Sequence, residues 1–199
     1  MIANTPIILA SASVSRRDVL TAAGISFEIV PSSVDENALK EQFDGNDYAK
    51  LALILASAKA NAVSEKYPNH LVLGCDQLLV LDREVFDKPK DLANAKHHLE
   101  KLSGRTHRLL SAAVLIESGK TRWQTVETAS LTMRDLSDSY IKSYLDQEGE
   151  AVLTSVGAYL LEGCGAQLFS AIEGDHFTIR GLPLLPLMAA LRSLGFLQT

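Results

Sequence analysis

Short apolar segments alternate with amphipathic ones along this chain, and the alternation predicts strands followed by helices. Pro6–Ala10 is an apolar run that predicts a buried strand, and the periodic apolar residues up to Ala23 predict a short helix. Gly24 is a suitable C-terminal cap for that helix, and Ser26–Val30 predicts a second strand. A strand, a polar turn, a helix and another strand in succession are typical of an α/β protein.

The rest of the chain continues this pattern. Asp47–Glu65 is rich in Ala and Leu and predicts a long helix, whereas Pro31–Glu36 predicts a loop. Further helices are predicted over 91–102, 137–144 and 184–194, and strands over 71–81, 108–117, 121–133 and 176–180. Two long strands joined at Ser118–Lys120 indicate an antiparallel part of the sheet. We therefore predict a single domain over residues 1–199, of the α/β class, with a mixed sheet flanked by helices.

Composition restricts the partners. The 199 residues carry 19 Lys and Arg against 24 Asp and Glu, a net charge of −5. This balance argues against a nucleic-acid polymer as partner, although a local cluster of cations can still bind a small anion. No apolar run reaches the roughly 20 residues of a membrane span, and the first residues do not resemble a signal peptide. Cys75 and Cys164 match no metal spacing and suit free buried thiols, which fit a reducing compartment. From these features together we expect no membrane partner and a cytoplasmic location.

The serine-rich turn after the first strand is a candidate phosphate site. A helix N-terminus offers unpaired N–H groups and a partial positive charge to an anion. Ser11 and Ser13 add hydroxyl donors, and Arg16 or Arg17 can bind phosphate oxygens through a planar guanidinium. A serine-capped helix with two solvated arginines is the alternative.

Four other charged residues are candidates for chemistry. Lys59 falls on the apolar face of the long helix, where it either extends to the edge of that face or directs its ammonium into a cleft. Asp76 follows an apolar strand, at the kind of position where open α/β sheets bind ligands, and could hold a metal, act as a general base or stabilise a turn. Lys88 precedes a proline and Glu36 lies in a polar loop, and for both a solvated charge is the alternative.

Together these segments resemble the Maf family, in content and in order, over nearly the whole chain. The matching segments are Ile8–Ser13 with Arg16–Arg17, Val34–Glu36, Leu51–Ala52 through Lys59–Ala60, Leu73–Gln77, Asp87–Pro89, Leu102–His107 and Gly181–Leu184. Maf proteins are nucleoside triphosphate pyrophosphatases related in fold to the inosine triphosphatases. The resemblance implies an elongated mixed sheet with two lobes around a central cleft, and a hydrolase that releases a nucleoside monophosphate and diphosphate.

The resemblance also implies roles for the candidate residues. Ser13 and Arg16 match the serine–arginine phosphate turn of the family, and Lys59 and Lys88 match its two phosphate-facing lysines. Glu36 and Asp76 match its acidic positions, and Asp76 corresponds to the proton acceptor. We therefore expect these two carboxylates to bind a divalent cation, Mg²⁺ or Mn²⁺, and Asp76 also to activate the attacking water.

Three base-proximal positions suggest the substrate. One branch of the family resembles dTTP and UTP hydrolases, with Arg, Thr and Gln at these positions, and another prefers 7-methyl-GTP, with Trp, Gln and Glu. The equivalents here are Ser15, Gln77 and Glu162, so two of the three match the second branch. Ser15 cannot stack on a cationic ring as Trp would. We expect a modified or non-canonical purine nucleotide such as 7-methyl-GTP, with a dTTP or UTP preference as the alternative.

A second class of function follows from the same resemblance. Maf homologues have been linked to inhibition of septum formation, so the chain could be a nucleotide-binding regulator of cell division that acts through a partner. Asp76, Lys59 and Lys88 are all present, which favours catalysis, because a protein that only binds nucleotide needs no general base. Family members are often homodimers, and we expect a homodimer here as well.

Overall fold

The computed structural model describes residues 6–198, in which a mixed sheet is flanked by helices. The strands are β1 Ile7–Leu9, β2 Phe27–Ile29, β3 Val72–Leu81, β4 Glu84–Phe86, β5 Thr106–Glu117, β6 Lys120–Met133 and β7 Phe169–Glu173. The α-helices are α1 Val14–Ala22, α2 Glu36–Glu41, α3 Tyr48–Ser64, α4 Leu92–Leu102, α5 Asp138–Glu148, α6 His176–Ile179 and α7 Leu184–Ser193. Two 3₁₀ helices cover Gly149–Thr154 and Cys164–Leu168. The predicted α/β class is confirmed.

The sheet combines parallel and antiparallel pairs, as the sequence predicts. The strand order is β2-β1-β3-β5-β6-β7, and β4 pairs with β3 outside this path. β1 is parallel to both β2 and β3, whereas β3 with β4 and β6 with β7 are antiparallel. In the β1–β3 register Leu9 lies opposite Leu73, so β1 ends while β3 continues.

Polar residues begin most of the helices at the predicted places. Side-chain oxygens of Ser13, Asp47, Asp91 and Ser137 accept hydrogen bonds from backbone N–H groups in the first turns of α1, α3, α4 and α5. Such caps satisfy N–H groups that the helix itself leaves without partners. The positions of these helices therefore follow directly from the sequence.

Three sequence predictions are wrong. Glu36 does not lie in a loop but begins α2, because Asp35 caps that helix by accepting from the N–H of Ala38. Asp76 does not follow the carboxyl end of an apolar strand but lies within β3, which agrees with the separate prediction of a strand over 71–81. The segment 176–180 contains the helix α6 instead of a strand, and the strand that pairs with β6 in this part of the chain is β7.

The chain divides into two compact units. The first comprises the chain up to Gln77, Leu110–Glu127 and the chain from His176, and the second comprises Leu78–Leu109 and Thr128–Asp175. In the first unit, apolar residues of β1, α1, β3, β5 and α7 form one buried cluster. The second unit buries apolar side chains of α4, β6 and α5, together with two tyrosines. No helix within residues 6–198 is long and apolar enough to cross a membrane.

Candidate active site

The turn between β1 and α1 presents two serine hydroxyls beside a helix N-terminus. Ser13 is the N-cap of α1, and its Oγ accepts from the N–H of Arg16 at 3.4 Å. Ser11 Oγ accepts from the N–H of Ser13 at 3.2 Å and from Arg16 Nη1 at 3.1 Å. Because each hydroxyl accepts from the protein, its own proton remains to be donated. The turn therefore combines hydroxyl donors with the positive end of a helix.

Arg16 is buried and is held by three acceptors from separate parts of the chain. Its Nη1 donates to Ser11 Oγ and, at 3.0 Å, to the carbonyl of Cys75, while its Nε donates to the carbonyl of Gly181 at 2.9 Å. Only 8% of the residue is exposed. The predicted phosphate-binding arginine is therefore fixed in place next to Asp76 along β3, and the alternative of a solvated Arg16 is wrong.

A glycine allows α3 to approach β3 closely. A Cβ atom at Gly74 would lie 2.2 Å from the carbonyl oxygen of Ala56 and 2.7 Å from the Cβ of Ala60. No side chain larger than hydrogen fits at this crossing, which explains the alanine-rich face of the helix. The close approach brings Lys59 of α3 to Asp76 of β3.

Lys59 lies between two carboxylates. Its Nζ is 2.6 Å from Asp76 Oδ1 and 2.9 Å from Glu36 Oε1. Lys59 is 8% exposed and Asp76 5%, whereas the side chain of Glu36 is 42% exposed. The sequence left open whether Lys59 extends to the edge of the apolar face or directs its ammonium into a cleft, and the structure places it in a buried ion pair that extends to the surface through Glu36.

Burial controls the protonation of this cluster. Desolvation raises the pKa of Asp76 above that of an ordinary carboxyl, and the positive charges of Lys59 and Arg16 oppose the increase. The neighbouring thiol of Cys75 is fully buried, which raises its pKa to about 11 and makes it unreactive. Burial and the two neighbouring cations therefore act in opposite directions on the pKa of Asp76.

The two carboxylates fit a divalent cation. Asp76 and Glu36 both lie within 3 Å of Lys59 Nζ, so their carboxylates are close together, and the ammonium of Lys59 occupies the point between them. Mg²⁺ is commonly held by one or two carboxylates, and its other ligands are waters and substrate phosphates. Within residues 6–198 no group of three or more His, Cys, Asp or Glu side chains is placed to hold a metal ion. The donor set therefore fits a metal that is bound together with a phosphate ligand.

Two of the three predicted specificity residues, Ser15 and Gln77, contact the end of α6 and the residue after it. Ser15 Oγ donates to the carbonyl of Arg180 at 3.0 Å. Gln77 Nε2 donates to the carbonyls of Thr178 and Ile179 at 3.1 and 3.0 Å and to Ser111 Oγ at 3.0 Å. Sequence reasoning missed the buried Ser111, whose only signal is one hydroxyl within the apolar run of β5. Lys88 and Glu162 are exposed residues of the second unit.

Comparison with known proteins shows the family of this chain. The family model described as Maf-like protein matches residues 6–194. The 7-methyl-GTP pyrophosphatase of Mesorhizobium japonicum is 54% identical over 191 residues, which cover 95% of this chain and 96% of the relative. The nucleoside triphosphate pyrophosphatase of Nitrobacter hamburgensis is 46% identical over 193 residues, which cover 97% of this chain and 96% of the relative. A buried lysine–carboxylate cluster beside a serine–arginine turn thus occurs in a chain that belongs to the Maf-like protein family.

Proposed function

We propose that this chain is a nucleoside triphosphate pyrophosphatase, which hydrolyses the substrate at the α-phosphorus to a nucleoside monophosphate and diphosphate. The observation that carries the proposal is Lys59 held between Asp76 and Glu36, beside the turn of Ser11 and Arg16. The names of the two relatives described above support the same activity.

Asp76 is the proposed general base. Its Oδ1 accepts from Lys59, which leaves Oδ2 to accept the proton of the attacking water. As that proton moves to Asp76, the water oxygen bonds to the α-phosphorus and the bond to the bridging oxygen of the diphosphate breaks. Burial raises the pKa of Asp76, which strengthens it as a base, and the adjacent ammonium of Lys59 keeps the carboxylate ionised.

Cationic and hydroxyl groups are proposed to bind the phosphates. Arg16 and Lys59 supply positive charge, Ser11 and Ser13 donate hydroxyl hydrogen bonds, and Lys88 is the further lysine implied by the family resemblance. Charge moves onto the leaving diphosphate during the reaction, and fixed donors stabilise it without reorganising. The rigid hold on Arg16 by three acceptors supports this role.

Asp76 and Glu36 are the proposed metal ligands. When bound, Mg²⁺ or Mn²⁺ would neutralise phosphate charge. The need for it follows from the charge balance of the cluster, because Arg16 and Lys59 only compensate the two carboxylates. A triphosphate thus requires positive charge that these four side chains do not supply.

We further propose 7-methyl-GTP or a similar modified purine nucleotide as substrate. The name of the Mesorhizobium japonicum relative supports this choice. Glu162 is the proposed acceptor for the guanine N1–H and amino group, with Ser15 beside the base. A homodimeric assembly stays a prediction.

The experiment compares two Asp→Asn variants. Asp76→Asn removes the proposed base, whereas Asp82→Asn changes an exposed carboxylate that pairs with Arg105. Asp82 has a φ of 54°, which Asn tolerates well, so the control should fold normally. We expect Asp76→Asn to lower kcat by about 10²–10⁴ and Asp82→Asn to leave it unchanged. Release of diphosphate from 7-methyl-GTP, GTP, dTTP, UTP and CTP with Mg²⁺ or Mn²⁺ is the measurement, and circular dichroism checks the fold.

Three results would contradict parts of the proposal. A folded Asp76→Asn variant with near-normal kcat would remove the base assignment. A clear preference for dTTP or UTP would remove the purine assignment. Nucleotide binding by the unaltered protein without release of diphosphate would favour a regulator that acts through a partner.

A further inference from the structure

Four successive carbonyl groups of the chain accept hydrogen bonds from side chains of the candidate site. They belong to Thr178–Gly181, which we call the C-terminal turn. The donors are Ser111 and Gln77 to Thr178, Gln77 to Ile179, Ser15 to Arg180 and Arg16 to Gly181. One backbone bond lies inside the turn, from Gly181 N to Thr178 O, and another joins the residues on either side of it, from Leu182 N to Phe177 O.

The NH₂ group of the Gln77 amide is committed to this turn. Carbonyl oxygens can only accept, so the group of Gln77 that faces Thr178 and Ile179 is its NH₂. The same nitrogen also donates to Ser111 Oγ, so its two hydrogens already serve three acceptors. A nucleotide base would have to displace one of these bonds to receive a hydrogen bond from Gln77 Nε2.

Ser111 reinforces the same contact from β5. Its side chain is fully buried, and its Oγ donates to Thr178 O at 2.7 Å while it accepts from Gln77 Nε2. The hydroxyl is therefore oriented by two partners. Loss of either bond would leave a buried polar group unsatisfied, which is costly in an apolar strand.

The C-terminal turn packs against Arg16 and helps to hold its side chain. Gly181 has a φ of +87°, and a Cβ there would lie 3.4 Å from Gln77 Oε1 and 3.5 Å from Arg16 Nε. The turn thus packs against both side chains at once. Gly181 O binds Nε of Arg16, whereas the other two acceptors bind Nη1, so this carbonyl is the one that holds the Nε side of the guanidinium.

We propose that Gln77 and Ser111 are positioning residues: they hold the C-terminal turn against Arg16 and thereby orient the guanidinium toward the phosphates. The proposal rests on the pyrophosphatase function proposed above. It gives Gln77 a different role from the base recognition that its family position implies. Every nucleoside triphosphate has the same phosphates, so a misplaced Arg16 should lower kcat/KM by the same factor for all nucleotides. Impaired base recognition should instead lower kcat/KM by different factors for different nucleotides.

The first experiment measures kcat/KM for 7-methyl-GTP, GTP and UTP with Ser111→Ala, Gln77→Met and the double variant. We expect each single variant to lose about tenfold, by the same factor for every nucleotide. Because both residues act through one turn, the double variant should lose little more than the larger single loss. Ser64→Ala is the control: Ser64 is another buried serine of the first unit, and its Oγ accepts from Gly119 N.

The second experiment needs no nucleotide. Hydrogen exchange at the amides of Gly181 and Leu182 should accelerate in Ser111→Ala and in Gln77→Met but not in Ser64→Ala, since the anchored turn protects these amides. If the unaltered protein hydrolyses no nucleotide, the proposed function fails while this measurement still decides whether the two residues hold the turn.

Two results would overturn the proposal. In one, Gln77→Met changes the ratio of kcat/KM between nucleotides by tenfold or more, whereas Ser111→Ala leaves these ratios unchanged. That result would mean that Gln77 recognises the base. The other is unchanged exchange of both amides in a folded Gln77→Met variant, which would show that the turn does not depend on this side chain.

Discussion

The two compact units bury polar groups in opposite ways. In the first unit, Lys59 and Asp76 are buried as an ion pair, and Arg16 is buried with three acceptors. In the second unit, the buried polar side chains include His107 and Tyr159, which hydrogen-bond each other at 2.7 Å. One unit thus buries opposite charges, and the other buries groups that can be neutral.

The pKa shifts follow this difference. In the second unit burial lowers the pKa of His107 to about 4 and raises that of Tyr159, so both remain neutral near pH 7. In the first unit burial raises the pKa of Asp76, but Lys59 and Arg16 oppose the shift. Burial without an opposite charge favours the neutral forms of His107 and Tyr159, whereas at Asp76 the neighbouring cations offset part of the effect of burial.

The largest expected effect comes from removing the central cation. Lys59→Met leaves Asp76 buried without its ammonium, and we expect the free energy of unfolding to fall by about 3–5 kcal/mol. Lys96→Met is the control, because Lys96 pairs with Glu100 on the surface of α4 and should give no measurable change. Urea unfolding at pH 7 measures both. Equal stability of the two variants would mean that the buried pair does not stabilise the first unit.

A smaller effect is expected where the helix and the sheet approach most closely. Gly74→Ala places a Cβ against the carbonyl of Ala56, so α3 has to move away from β3. We expect a loss of about 3 kcal/mol in the free energy of unfolding, together with reduced activity because Lys59 moves with its helix. Gly119→Ala is a partial control, since a Cβ there meets nothing within 4 Å and only the positive φ of 71° opposes it. A Gly74→Ala variant of full activity would contradict the packing argument.

The smallest expected effect concerns how the free energy of unfolding depends on pH through His107 of the second unit. His107 has a lower pKa in the folded protein than its ordinary 6.5, so its contribution to stability is complete above pH 6.5 and is lost as the pH falls toward 4. Between pH 7 and pH 5 we expect a loss of about 2 kcal/mol from this group, because the unfolded chain takes up a proton there and the folded chain does not. His107→Gln should reduce this slope, measured by urea unfolding at each pH.

His97→Gln is the matched control for that measurement. His97 lies on α4 with its side chain 58% exposed, so its replacement should leave the slope unchanged. A His107→Gln variant with the slope of the unaltered protein would show that the buried imidazole does not account for the acid sensitivity.

The sequence predicts the elements that carry the site better than the contacts between them. The strand before Ser11, the capped helix after it and the long helix that contains Lys59 all form where local patterns predict them. The ion pair of Lys59 with Asp76 depends on how α3 crosses β3 at Gly74, which no local pattern specifies. The helical periodicity around Lys59 therefore left two interpretations of this residue open.

The C-terminal turn was harder to predict. The residues from His176 include aromatic and β-branched side chains that favour a strand, yet they form α6, and tertiary contacts outweigh this weak local preference. The turn's role depends on its carbonyl groups, which every residue possesses, so side-chain identity gives no sign of it. Only the resemblance around Gly181 indicated that this segment matters.

The bond from Arg16 Nε to Gly181 O also has a consequence for the order in which the protein matures. It joins residues 165 positions apart in the sequence. During synthesis the serine–arginine turn emerges first, and its carbonyl acceptor becomes available only after residue 181 has been made. A nascent or truncated chain that ends earlier can contain Asp76, Lys59 and Glu36 and still lack one of the three acceptors of Arg16. Synthesis past residue 181 is thus the step that completes the hydrogen bonds of this arginine.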